Sequence, residues 1–114
     1  MDGRGMIGAG SALAMVVAAL VASAEPTPAV DIQLFQFQPG AVEVKAGTTI
    51  IWTNRDDIEH TVTSGDPEHR TGRFDAHLSA RGTTTTVKLD EPGVYPYFCD
   101  RHPSMRGEIR VRPS

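Results

Sequence analysis

Residues 93–112 read GVYPYFCDRHPSMRGEIRVR, and the way this stretch divides decides the architecture. Both ends are β-prone: GVYPYFC is rich in aromatics, and in GEIRVR the residues Ile109 and Val111 alternate with charges. Between them CDRHPSMRG, residues 99–107, contains a proline and a glycine and shows no helical period, so the unit reads as strand, loop, strand. Pro96 removes a ladder donor and is expected at an unpaired or bulged position, with Val94, Pro96 and Phe98 facing away from Tyr95, Tyr97 and Cys99. Gly107 is expected to let the chain turn into the last strand.

Working outward, the same grammar recurs. DIQLFQFQ reads as one run ended by Pro39 and Gly40, and AVEVK is closed by Ala46 and Gly47. TTIIWTN precedes the polar turn NRDDIE, HTVTS begins with His60, and TTTTVKL is followed by the turn DEPG. Residues 65–82, GDPEHRTGRFDAHLSARG, read as polar and irregular, with Phe74 and Leu78 tucked inward. Seven or eight short strands without a helical segment predict an all-β Greek-key sandwich of two sheets packed face to face.

The first 24 residues do not belong to that domain. A short polar start with Arg4, an apolar run from Ile7 to Ala22 and the triplet Ala22, Ser23, Ala24 have the layout of a secretory signal peptide, with cleavage before Glu25. The run falls short of the ~20 residues a spanning helix needs, so no stable membrane span is expected after cleavage. Residues 25–114 then form one small domain. Removing Asp2 and Arg4 from the 14 acidic and 11 basic residues leaves 13 and 10, a net charge of −3. That balance offers no basic face for nucleic acid. Small exported domains often pair their cysteines, yet the chain has one, which a metal site would explain.

Cys99, His102 and Met105 recur at intervals of three in one loop. Thiolate and thioether are soft ligands suited to copper(I), and imidazole accepts either copper oxidation state. Two histidines and a cysteine with a weak axial methionine make an electron-transfer copper site. The second histidine comes from His60, His69 or His77. His60 is favoured because it starts a strand after a turn, whereas the other two lie in the polar stretch. Three rival readings stay beside this one. A copper carrier would use the same ligands but usually has methionine- or histidine-rich tracts, which the mature chain lacks. An enzyme with Cys99 as nucleophile leaves Met105 unexplained. Zinc seldom takes a thioether in structural sites.

YPYFCDRHPSMRGEIRV, preceded by WTNRDDIEHTV, resembles the small blue copper proteins of the cupredoxin family, and its Cys-x-x-His-Pro-x-Met-Arg-Gly loop is similar to that of the amicyanin group. Plastocyanins and pseudoazurins are more distant, with a longer gap before the methionine. The resemblance implies one copper ion held by His60, Cys99 and His102 with Met105 axial, and a monomer that passes single electrons between redox partners without catalysing a reaction of its own. It further implies a periplasmic setting and docking of a dehydrogenase- or cytochrome-type partner near His102 and Pro103. Arg101 and Arg106 would flank that surface and steer an acidic partner. It also implies that His102 can take up a proton and leave reduced copper at low pH. The sequence departs from the pattern at Asp100, Arg101 and Ser104, and at Thr61, where an asparagine is usual.

Overall fold

The computed structural model describes residues 27–114, so the leader expected at 1–24 lies outside the described residues. Nine strands form: β1 Ala29–Gln33, β2 Gln36–Gln38, β3 Ala41–Lys45, β4 Thr49–Asn54, β5 His60–Asp66, β6 His69–Leu78, β7 Thr84–Lys88, β8 Gly93–Phe98 and β9 Arg106–Arg112. They make two sheets, ordered β2-β1-β4-β7 and β3-β9-β8-β5-β6. Two parallel pairs, β1 with β4 and β3 with β9, mark the crossovers of the predicted Greek-key sandwich. No helix among the described residues is long and apolar enough to cross a membrane.

The strand count exceeds the predicted seven or eight for two physical reasons. DIQLFQFQ is a hairpin rather than a single strand, because Leu34 (φ 55°) and Phe35 (φ 58°) both turn into the left-handed region. Such a turn matches the twist of a hairpin but is normally built from Asn and Gly. Left-handed backbone costs a side-chain-bearing residue roughly 1–2 kcal/mol, so something outside the hairpin must hold it. Residues 65–82 are not irregular either. Ten of them form β6, which pairs with β5 at one edge of its sheet and exposes most of its side chains, leaving no apolar alternation to read. Phe74 is half-buried and Leu78 is fully buried, as expected.

Pro96 is registered opposite Glu108 of β9, while the pairing of β8 with β5 ends at Ser64 and Tyr97. Pro96 has no registered partner on β5, so its missing N–H costs that ladder nothing. Gly65 (φ 105°) also admits a close approach, since a Cβ there would stand 2.2 Å from the His69 carbonyl oxygen. Val94 and Pro96 are exposed, and the Arg70 guanidinium covers the Phe98 ring 5.6 Å from its centroid.

Tyr97 centres the core that lies behind the loop from Cys99 to Met105. Its ring meets Phe37 edge-on at 4.6 Å and Trp52 at 5.4 Å. Across the ladder it faces Gly107, where a Cβ would lie 2.3 Å from the tyrosine Cζ. Gly107 is therefore required by the ring above it, rather than by the freedom to turn expected from the sequence. Tyr95, expected on the same face as Tyr97 and Cys99, is only half-buried and donates its hydroxyl to the Glu91 carbonyl at 2.6 Å.

Two outcomes follow from this packing. Gly107→Ala overpacks the core and should lower unfolding stability by about 1–3 kcal/mol in urea. Burial pushes the Tyr97 phenol up to about 12, a rise slightly offset by the Trp52 indole. An unfolded phenol ionises near its ordinary 10, so the stabilisation present below pH 10 is lost as pH climbs toward 12, by about 2–3 kcal/mol. Urea midpoints at pH 8 and pH 12 should show a smaller alkaline loss in Tyr97→Phe than in the parent.

Candidate metal centre

The interval of three in the loop has a direct geometric origin. His102 N–H donates to the Cys99 carbonyl (3.3 Å), Met105 N–H donates to the His102 carbonyl (2.8 Å), and Cys99 N–H donates to the Met105 carbonyl (3.1 Å). These are two consecutive β-turns sharing His102, cross-tied at their ends. Pro103 occupies the second position of the later turn, where its fixed φ is favourable. Each of Cys99, His102 and Met105 thus stands at a turn corner, and the intervening Asp100, Arg101 and Ser104 are exposed. Cys99 and Met105 are buried within the core cluster.

His60 reaches this loop from the start of β5. One donor atom from each of His60, Cys99 and His102 lies within 4.8 Å of the others. His69 and His77 are exposed, beside Asp66 and Glu59 respectively, and neither joins the group. The chemistry of the donors fits a metal. His60 Nε2 is 2.8 Å from Asp56 Oδ2 and is the nitrogen that carries hydrogen toward the carboxylate. That leaves its Nδ1 lone pair facing Cys99 Sγ at 3.7 Å. His102 Nδ1 is buried with no hydrogen-bond partner among the described residues. A buried, unpaired ring nitrogen costs free energy unless a ligand completes it. Cys99 Sγ itself accepts the Thr61 backbone N–H at 3.3 Å.

Asp56, read from sequence as part of a solvated turn, is the organiser of this end of the sandwich. Its carboxylate accepts the backbone N–H groups of Leu34 (2.8 Å) and Phe35 (3.0 Å) as well as His60. Those bonds supply the support that the left-handed hairpin lacks locally. Burial by itself would raise the Asp56 carboxyl, but the Phe35 and Leu34 amides, and then His60, outweigh it and hold the group below its ordinary 3.8. Asn54, fully buried, fixes the turn that leads to His60. Its Nδ2 donates to the carbonyls of Ile58 (2.9 Å) and Leu78 (3.1 Å), and its Oδ1 accepts the Asp56 N–H (2.9 Å).

The hairpin tip is placed over the two imidazoles. Phe35 meets His60 edge-on at 5.4 Å and His102 at 4.9 Å, and the two histidine rings are 5.4 Å apart. Arg101, expected from sequence to steer an acidic partner, pairs its guanidinium with Glu59 at 3.2 Å. Asp100 pairs with Arg70 of β6, and Arg106 Nε donates to the Pro103 carbonyl at 2.9 Å. Sequence reasoning thus missed Phe35, Asn54 and Asp56. The only signal available was Asp56 four residues before His60, a spacing shared with many solvated turns.

Residues 24–112 match the family described as copper binding proteins, plastocyanin/azurin family. The chain is 30% identical to an amicyanin-alpha of Methylorubrum extorquens over 105 residues, covering 89% of this chain and 88% of that one. It is 32% identical to a plastocyanin of Scenedesmus fuscus, over 67% of this chain and 86% of that one. A purple cupredoxin from Nitrosopumilus maritimus superposes with a TM-score of 0.68 at 27% identity, over 75% of this chain and 99% of that one. The amicyanin from Paracoccus versutus does so with a TM-score of 0.66 at 26% identity, over 80% and 86%.

Replacing Asp56 by Ala removes three acceptor bonds at once. The expected cost is about 2–3 kcal/mol of stability at one net hydrogen bond each. In the metal-free protein, nitrogen-15 NMR should show His60 redistributing its ring proton between Nε2 and Nδ1, whereas the parent holds it on Nε2.

Proposed function

The chain belongs to the plastocyanin/azurin family of copper-binding proteins, and from that membership we propose that it is an exported single-electron carrier whose copper is held by His60, Cys99, His102 and, more weakly, Met105. The observation that carries this reading is the group of three donor atoms within 4.8 Å, two of them on fully buried side chains. Imidazole nitrogens and a thiolate with a thioether nearby suit both copper oxidation states. When bound, copper supplies a one-electron couple. The chain's part is to hold the donors still, so that little rearranges between the two charge states. The cross-tied turns hold Cys99, His102 and Met105, and the Asp56 contact holds His60.

Water is limited by the same parts. The Phe35 ring stands against both imidazoles, and Met105 is only 3% exposed. His102 is flanked by two exposed apolar groups, Pro103 next in the chain and the Phe35 ring, which is 48% exposed. A small apolar face suits a brief encounter with a redox partner, of the kind that buries less than ~1,200 Å². Export rests on the leader at residues 1–24, and a periplasmic or comparable oxidising setting accords with a sole cysteine committed to a metal.

The test is spectroscopic. One equivalent of copper(II) should give an intense thiolate-to-copper absorption band and a narrow copper hyperfine splitting in electron paramagnetic resonance. Cys99→Ser should lose both, and Met105→Leu should keep the band while shifting the reduction potential. A pale protein with ordinary copper(II) signals would contradict the reading.

A further inference from the structure

Both polar groups of Thr61, its backbone N–H and its hydroxyl, are committed to the segment that bears Cys99. Its backbone N–H donates to Cys99 Sγ at 3.3 Å, and its Oγ1 accepts the Asp100 backbone N–H at 2.7 Å. The hydroxyl does not act alone. Thr61 Oγ1 lies 2.8 Å from Thr63 Oγ1, and Thr63 Oγ1 donates to Asp75 Oδ1 at 2.9 Å. Strand geometry explains the line-up: residues two apart in β5 share a face, and Asp75 of β6 is registered opposite Thr63. Both threonines are buried, at 0% and 2% exposure.

The ends of this chain fix its direction. An amide N–H can only donate and a carboxylate accepts, so the proton order runs Asp100 N–H to Thr61, Thr61 O–H to Thr63, and Thr63 O–H to Asp75. Each bond in such a series polarises the next, which makes Thr61 Oγ1 a better acceptor for the loop amide. We propose that Asp75, on an edge strand that contributes no donor atom to the metal centre, is a positioning residue for Cys99, acting through Thr63 and Thr61 on the Asp100 amide. Arg70 of the same strand holds the Asp100 side chain, so β6 braces the first turn of the loop from both its backbone and its side chain. Only the copper-loaded readouts of this inference rest on the proposed function; the hydrogen-bond relay itself belongs to the metal-free chain.

The experiment uses the whole chain and the variants Thr63→Val, Thr63→Ser, Asp75→Ala and the Thr63→Val/Asp75→Ala double variant. Hydrogen exchange of the Asp100 amide is read by NMR without metal. Reduction potential and copper hyperfine splitting are read after loading with one equivalent of copper(II). Loss of about one net hydrogen bond should speed Asp100 exchange about tenfold in Thr63→Val and in Asp75→Ala. Thr63→Ser, which keeps the hydroxyl, should behave like the parent. The double variant should be no worse than either single one, because both cut the same series. The copper-loaded singles should share one altered potential and splitting. Unchanged Asp100 exchange, or fully additive effects in the double variant, would overturn the relay. Faster exchange with copper signals identical to the parent would overturn the positioning role while leaving the copper site intact. If the parent itself shows no thiolate-copper signal, the proposed function fails, and the metal-free exchange data still decide whether the relay exists. Asp75 is itself exposed, so its variant keeps the test available should Thr63→Val fold poorly.

Discussion

The bond from the Thr61 N–H to Cys99 Sγ joins two segments 38 residues apart, and the candidate metal centre depends on it. Strand β5 delivers His60, and the β8–β9 connection delivers Cys99, His102 and Met105. Neither segment makes a site alone. Sheet pairing brings them side by side through only two registered pairs, Thr63 with Phe98 and Ser64 with Tyr97. The sulfur contact and the Thr61 hydroxyl extend that short zipper to the point where the donors meet. A sulfur held by a backbone amide of a central strand cannot drift far, because moving it requires moving the sheet.

A second constraint acts from the opposite sheet. The Leu34–Phe35 tip is left-handed at two side-chain-bearing residues, a cost of roughly 2–4 kcal/mol that the hairpin has no local means to offset. Asp56 offsets it with two backbone bonds and accepts a third from His60. One carboxylate thereby fixes both the tautomer of the His60 imidazole and the ring that covers it. Strain at the tip and order at the metal centre are parts of one arrangement.

How much of this could be read beforehand follows from where the compensating atoms sit. The loop was legible because its logic is local: residues three apart are the corners of two turns, and Pro103 suits the second. His60 was legible from its place after a turn and at the head of a strand. The hairpin within DIQLFQFQ was not, because its turn lacks Asn or Gly and its support comes from Asp56, more than 20 residues away. Strand β6 was hidden by its polar composition, which reflects an exposed edge rather than a lack of pairing. Gly107 looked like a hinge and is a space-saver under Tyr97. Sequence periodicity carries no information about a ring packed across a ladder.

The most direct test of a pre-formed, rigid centre is to determine crystal structures of the metal-free, copper(I) and copper(II) forms at pH 8. The donor atoms of His60, Cys99 and His102 should superimpose within about 0.5 Å among all three, with the Leu34–Phe35 tip unchanged. A metal-free form in which His102 or the loop from Cys99 to Met105 swings away, or in which the tip is remodelled on metal binding, would contradict this account.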